Sequence, residues 1–270
     1  MEEKIVRFKS MCNMGDLISS LCGIKNYCEE NGVKAIIYQL LDVKNDYYFG
    51  AVHPVKDSEG NQVCMNQSTY KFIKPLIIEQ DYIEDYVIYI GQEVDFDLDK
   101  VRHEVFVNLP SGAIQNWNGL WFPELQGDIS KKWISINGYI WEFKSIIINF
   151  TERYRNPYIT YYFLKPYEKQ LMFVGTEREH ELFTKRWALD IEHFKSEDSF
   201  FLAEIIFCAK FVLCNQSMVY NLAQAMHVPR LLELCAQFPN CIHGIGKHSY
   251  GYYHQHTLEQ LFKKLFNMEI

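Results

Sequence analysis

Residues 207–230 constrain the fold more than any other stretch. The apolar run Phe207–Leu213, broken only by Lys210, enters the polar turn Cys214-Asn215-Gln216-Ser217. It leaves through a helical pattern, Leu222, Ala223, Ala225 and Met226, which has to stop before Pro229. A buried strand, a tight polar turn and a helix form the βα step of a parallel α/β sheet. Such turns lie at the carboxyl ends of the strands, where the N–H groups of the next helix can hold phosphate.

The same step occurs near the N-terminus. Ile5, Val6 and Phe8 mark a strand over residues 4–8, followed by a loop from Ser10 to Gly15. Leu17, Leu21, Ile24 and Cys28 have helical spacing over about Asp16–Asn31, Gly32 closes the helix, and Val33–Leu40 reads as a second strand. This is a βαβ unit, so the sheet is expected to be parallel. Residues 44–82 are turn-rich, and strands are expected at Tyr86–Ile90 and Val105–Leu109. Residues 110–143 are irregular and aromatic, with Trp117, Trp121, Trp133 and Trp141.

The pattern restarts at Ser145. Ile146, Ile147, Ile148 and Phe150 form an apolar strand that ends in the polar loop Thr151-Glu152-Arg153-Tyr154-Arg155. A helix-like segment at Tyr158–Leu164, a strand at Leu171–Val174 and helices at Glu177–Trp187 and Asp198–Ala209 follow. The strands Phe211–Leu213 and Leu231–Leu234 come next, and an amphipathic helix at Thr257–Phe266 closes the chain. Two Rossmann-like α/β domains with parallel sheets are expected, residues 1–143 and 144–270, facing an interdomain cleft.

Four blocks, in order, resemble the family-nine glycosyltransferases, the ADP-heptose lipopolysaccharide heptosyltransferase type. They are Gly15-Asp16-Leu17-Ile18 after the first strand; the strand 146–150 with its loop; Met172-Phe173-Val174-Gly175 with Glu177 and Glu179; and Leu202-Ala203-Glu204-Ile205-Ile206 through Pro229. Residues 45–140 match poorly. The family's last block reads Asn-Asp-Ser-Gly-Pro-x-His-Leu-Ala. Asn215, Ser217, Leu222 and Ala223 match it, while Gln216 replaces Asp, Met218 replaces Gly and Asn221 replaces His. The resemblance implies a GT-B fold and inverting, metal-independent sugar transfer. The nucleotide-sugar donor would sit on the C-terminal domain, and a glycan or lipid-linked hydroxyl acceptor on the N-terminal one. No cofactor is implied, because the nucleotide sugar is itself a substrate. Peripheral membrane contact is compatible with such an acceptor.

Inverting transfer needs a base for the acceptor hydroxyl and positive charge or N–H dipoles for the departing diphosphate. The resemblance implies that Asp16 is the base; the alternative is that Asp16 caps the helix it opens. Arg153 and Arg155 suit bidentate phosphate contact, with Thr151 adding a hydroxyl; the alternative is a solvated turn. Asn215, Gln216 and Ser217 offer uncharged donors at a helix start, Ser217 with capping as its alternative. Asn221 occupies the family's His position. Glu233, at a strand end, suits ribose or sugar hydroxyls, with a surface carboxylate as the alternative; Pro239-Asn240 beyond it is a weaker candidate. The Trp-rich segment reads either as an acceptor platform or as core. A GT-B-like protein that binds a nucleotide-derived ligand without catalysis stays open as the second reading.

With 48% apolar residues the chain can build a large core. Its net charge of −7 gives no broad footprint for nucleic acid, and none is expected as a partner. No signal peptide is read at the N-terminus, and the longest apolar stretch, around Leu202–Cys214, is broken by Glu204 and Lys210 and too short to span a bilayer, so a cytoplasmic location is expected. The eight cysteines form no Cys-x-x-Cys pair and read as reduced thiols. Cys241, His243, His248, His254 and His256 match no closed zinc spacing, and no metal is expected.

Overall fold

The computed structural model describes residues 4–45, 53–102, 114–137, 146–237, 241 and 245–268. The expected strand at 105–109, Trp141, His243, Pro239-Asn240 and the expected seam at 143/144 lie outside these residues. The chain divides into two compact units, Met1–Ser135 with Asp198–Phe200, and Ile136–Glu197 with Phe201–Ile270.

The first unit is built on a four-stranded, wholly parallel sheet. Its strands are β1 (Ile5–Ser10), β2 (Lys34–Gln39), β3 (Ile83–Ile88) and β4 (Phe96–Asp97), in the order β3-β2-β1-β4. Helix α1 (Met14–Asn31) links β1 to β2 and ends at Gly32, whose φ of 61° is the left-handed cap that glycine adopts without strain. Leu17, Leu21, Ile24 and Cys28 are all buried, as their spacing requires.

Strand β4 was not expected from the sequence, β3 runs over Ile83–Ile88 rather than the expected Tyr86–Ile90, and two further features were not expected. Helix α2 (Gln67–Ile78) stands in the stretch read as turns. It starts at a capping box, in which Asn66 accepts from the Thr69 amide and Thr69 answers the Asn66 amide. Pro75 inside it obscured the period. The segment 114–127, with the short helix α3 (Trp117–Trp121), lies on α1 so closely that a Cβ on Gly23 would come within 2.2 Å of the Leu125 carbonyl oxygen. Trp133 is core and donates its indole N–H to the Ile18 carbonyl at 2.8 Å, which removes it from an acceptor platform.

The second unit holds six parallel strands in the order β10-β9-β8-β5-β6-β7. They are β5 (Ile146–Asn149), β6 (Leu171–Val174), β7 (Glu192–Phe194), β8 (Phe211–Cys214), β9 (Arg230–Glu233) and β10 (Ser249–Tyr252). Strands β5, β6, β8 and β9 are buried at every residue, as a sheet covered on both faces requires; β6 and β8 are wholly apolar, while β5 ends in the buried Asn149 and β9 carries the buried Arg230 and Glu233 at its ends. Helices α4 (Glu177–Trp187), α5 (Ser199–Phe207), α6 (Met218–Ala225) and α7 (Gln255–Phe266) fall where the sequence placed them, within two residues at each end except that α6 starts at the turn itself. The helix-like segment is a 3-10 run at Tyr162–Gln170, and the edge strands β7 and β10 were missed. A core of Phe150, Tyr161, Phe173, Phe183, Trp187, Phe211 and Phe262 fills this unit. All eight cysteines are free.

Candidate functional site

In an open α/β sheet the ligand crevice lies beyond the carboxyl ends of the strands, where the strand order reverses. In the second unit the reversal falls between β5 and β8. The loops there carry Thr151 and Arg153 after β5, and Asn215, Gln216 and Ser217 after β8.

Asn215 binds these two loops together. Its buried side chain accepts from the Thr151 amide at 3.0 Å and donates to the Arg153 carbonyl at 2.6 Å. Thr151 Oγ1 adds a bond to the Arg153 carbonyl at 3.3 Å. Tyr154 then turns the chain in the left-handed region, at φ 54°, which a tyrosine adopts only when its surroundings hold it there. The Arg153 guanidinium lies 5.3 Å from the centre of the Tyr154 ring. Ser217 is the N-cap of α6, accepting from the Tyr220 amide at 3.2 Å, so its capping role is the one found. Gln216 is turned inward, and its carbonyl oxygen accepts from the Cys241 amide at 2.9 Å. Asn221 lies one turn into α6 and is buried.

The structure pairs Arg155 and Glu233 with each other, and Glu233 is not the surface carboxylate of the alternative reading. Glu233 is fully buried and takes Arg155 Nε at 3.0 Å, the Asn156 amide at 2.6 Å and the Tyr161 hydroxyl, which in turn meets Tyr252 at 2.6 Å. The guanidinium also lies 4.7 Å from the Phe150 ring centre. Burial lowers the affinity of Arg155 for its proton, but Glu233 outweighs it and the guanidinium stays charged. The loop leaving β5 is thus anchored at both ends, by Asn215 and by Glu233, with Arg153 between the anchors.

In the first unit the reversal falls between β1 and β4. The loop after β1 leads to α1, and its capping side chain is Asn13, not Asp16: Asn13 Oδ1 accepts from the Asp16 amide at 3.1 Å. The helix begins two residues earlier than the sequence indicated, and Asp16 stands partly exposed in its first turn. On the other side of the reversal is a carboxylate the sequence reading missed. Asp99 is fully buried and accepts from the Met11 amide at 2.6 Å, with Lys9 Nζ 3.4 Å from its other oxygen. Burial, reinforced by the charge of Asp97 and opposed by the Met11 amide and Lys9, raises its pKa to about 6. The alternation Asp95-Phe96-Asp97-Leu98-Asp99 is the signal that would have found it. The three aspartates meet β1 at every second residue, on the Arg7 amide at 2.7 Å, Lys9 Nζ at 3.0 Å and the Met11 amide.

Among the described residues no group of three or more His, Cys, Asp or Glu is placed to hold a metal ion. No helix among them is long and apolar enough to cross a membrane.

The architecture is that of the GT-B glycosyltransferases. The chain is similar in structure to Escherichia coli heptosyltransferase WaaC with ADP, with a TM-score of 0.64 and 10% identity over 97% of this chain and 99% of that one. It is likewise similar to E. coli ADP-heptose lipopolysaccharide heptosyltransferase II, at a TM-score of 0.54 and 10% identity over 97% and 98%. A family-nine glycosyltransferase from Veillonella parvula gives 0.57 and 9% over 99% and 90%. By sequence the chain matches no family model and no curated protein.

Proposed function

We propose that the chain is a glycosyltransferase that moves a sugar from a nucleotide-sugar donor to the hydroxyl of a glycan or lipid-linked acceptor, with inversion and without a metal. The observation that carries this reading is the meeting of Thr151, Arg153, Asn215 and the start of α6 at the strand-order reversal of the second sheet. The fold likeness supports it, since the similar proteins are glycosyltransferases and WaaC was solved with ADP.

In this reading the second unit holds the donor. Arg153 and the N–H groups opening α6 take the negative charge that develops on the departing diphosphate. The bond from Asn215 to the Arg153 carbonyl fixes the backbone from which that guanidinium extends. Asp16, in the first unit, takes the proton of the acceptor hydroxyl as it attacks the anomeric carbon. Glu233 and Arg155 serve by shaping the loop rather than by touching substrate.

One observation favours binding without catalysis as the second reading. Gln216, at the position the resemblance gives to a carboxylate, spends its carbonyl oxygen on the Cys241 amide.

Thermal-shift screening with ADP-, GDP-, UDP- and CDP-sugars is the first test, because a ligand bound only by the folded state raises the melting temperature. A stabilising donor followed by sugar transfer supports the enzyme reading, and stabilisation without transfer supports the second. No stabilisation by any donor overturns both. Arg153→Ala should weaken binding of the stabilising donor by about 1.5–3 kcal/mol, the worth of a charge-assisted hydrogen bond. Unchanged affinity in calorimetry removes Arg153 from the pocket.

A further inference from the structure

Every strand of the first sheet sends a side chain, directly or through a neighbour, to the two residues that follow β1. Asp99, just past β4, accepts from the Met11 amide at 2.6 Å. Ser10, the last residue of β1, accepts from the Cys12 amide at 3.1 Å. Gln39, the last residue of β2, donates to the Cys12 carbonyl at 3.2 Å and to the Leu40 carbonyl at 3.1 Å. Tyr86 of β3 donates its hydroxyl to Gln39 Oε1 at 3.1 Å, which fixes which way the amide faces. All four side chains are fully buried. One residue further on, Asn13 caps α1 by taking the Asp16 amide.

Core stability does not call for this arrangement. Water satisfies loop amides at an exposed sheet edge, and buried polar groups carry a desolvation cost that apolar side chains would not. The gain is geometric. A fully satisfied polar network specifies one conformation, and this one ends on the short loop that sets where α1, and with it Asp16, begins.

We propose that Ser10, Gln39, Tyr86 and Asp99 are positioning residues that hold the β1–α1 loop in the one conformation placing Asp16 for proton transfer. The inference rests on the assignment of Asp16 as the base. Errors of about 1 Å in such placement cost up to roughly 100-fold in rate, so partial loosening should be visible in turnover before it is visible in folding.

Two mild variants test it. Tyr86→Phe removes one hydroxyl, and Asp99→Asn keeps an acceptor for the Met11 amide while removing the charge. Each should lower kcat by about 10-fold with donor KM unchanged and melting temperature held within a few degrees. In an Asp16→Asn background the same changes should cost no further kcat, because they act only through Asp16, while their effects on melting temperature persist. Equal losses in both backgrounds, or a normal kcat in both variants, overturn the proposal. Amide hydrogen exchange reads the network without activity. The Met11 and Cys12 amides should exchange slowly in the wild type, and Met11 faster in Asp99→Ala, with the middle of α1 unchanged. Fast exchange of both amides in the wild type also overturns it. A normal rate in Asp16→Asn alongside slow exchange instead rejects the base assignment and leaves the network as a purely structural one.

Discussion

The two sheets reverse their strand order in the same way and secure the reversal by different chemistry. In the second unit a neutral amide, Asn215, joins the two crossing loops, and the charged pair Arg155–Glu233 lies beneath as an anchor already matched in charge. In the first unit a carboxylate, Asp99, joins them; the Met11 amide and Lys9 only partly offset its burial, and the charge of Asp97 adds to it. The difference follows the chemistry proposed for each side. A site for a diphosphate gains from having no free carboxylate at its floor. A site that must hold one carboxylate in place tolerates a second buried behind it.

The largest loss of stability is expected from unbalancing the anchor of the second unit. Glu233→Gln leaves the Arg155 guanidinium without its counter-charge and weakens the bonds to Asn156 and Tyr161. Removing one partner of a buried pair costs about 3–5 kcal/mol, and urea denaturation should show a loss of that size. A change under about 1 kcal/mol would mean that Glu233 is a ligand-facing carboxylate after all, and nucleotide-sugar binding should then fall instead.

Asp16→Asn gives the largest expected effect in the first unit. The rate should fall by about 100-fold or more, because an amide does not accept the acceptor proton. Stability should hardly change, since Asn13 and not Asp16 caps α1. Transfer rate and melting temperature measured on the same preparation decide it. A normal rate removes Asp16 from the mechanism, and a collapse of stability makes its role structural.

The two units differ in how much of their structure shows in the sequence. Phe211–Cys214 and its turn, the strand Leu171–Val174 and the helix Glu177–Trp187 were legible because buried parallel strands are continuous apolar runs and helix caps are local. The candidates Thr151, Arg153 and Asn215 followed from strand ends together with the resemblance. What was not legible depended on contacts across many residues. Asp99 reads locally as the last acid of the alternation Asp95-Phe96-Asp97-Leu98-Asp99, which marks a strand but not its partner; β4 pairs with β1, and Asp99 meets Met11, 88 residues away. Glu233 and Arg155 were each visible as strand-end charges, but their pairing over 78 residues was not. The edge strands β7, Glu-His-Phe, and β10, Ser-Tyr-Gly-Tyr, carry no apolar run of the kind that marks the central strands.

The charge on Asp99 makes a prediction of its own. Burial holds its pKa near 6, whereas in the unfolded chain an aspartate titrates near the ordinary value of about 3.9. Between these values the folded state binds the extra proton. Stability should therefore fall as pH rises from about 4 to 6, and the cost should be complete above that, on the order of 2–3 kcal/mol. Asp99→Asn should remove this slope and leave the protein as stable as the wild type, or more so, at pH 8. A slope that survives the substitution would assign it to another group. Slower turnover in a variant that is no less stable would separate positioning from folding.

The smallest effects compare the two caps directly. Asn13 opens α1 and Ser217 opens α6, each by accepting an amide in the first turn. Replacing either by Ala should cost about 1 kcal/mol of stability, so on stability alone the units should look alike. They should part in function. Ser217→Ala loosens the helix start proposed to receive the diphosphate, and donor affinity should weaken about threefold to tenfold with kcat at saturation little changed. Asn13→Ala frees the amide of Asp16, and kcat should fall by a similar factor with donor affinity intact. Titrating donor against both variants in one transfer assay gives the two constants together. If both variants shift the same constant, the assignment of donor to the second unit and base to the first is wrong.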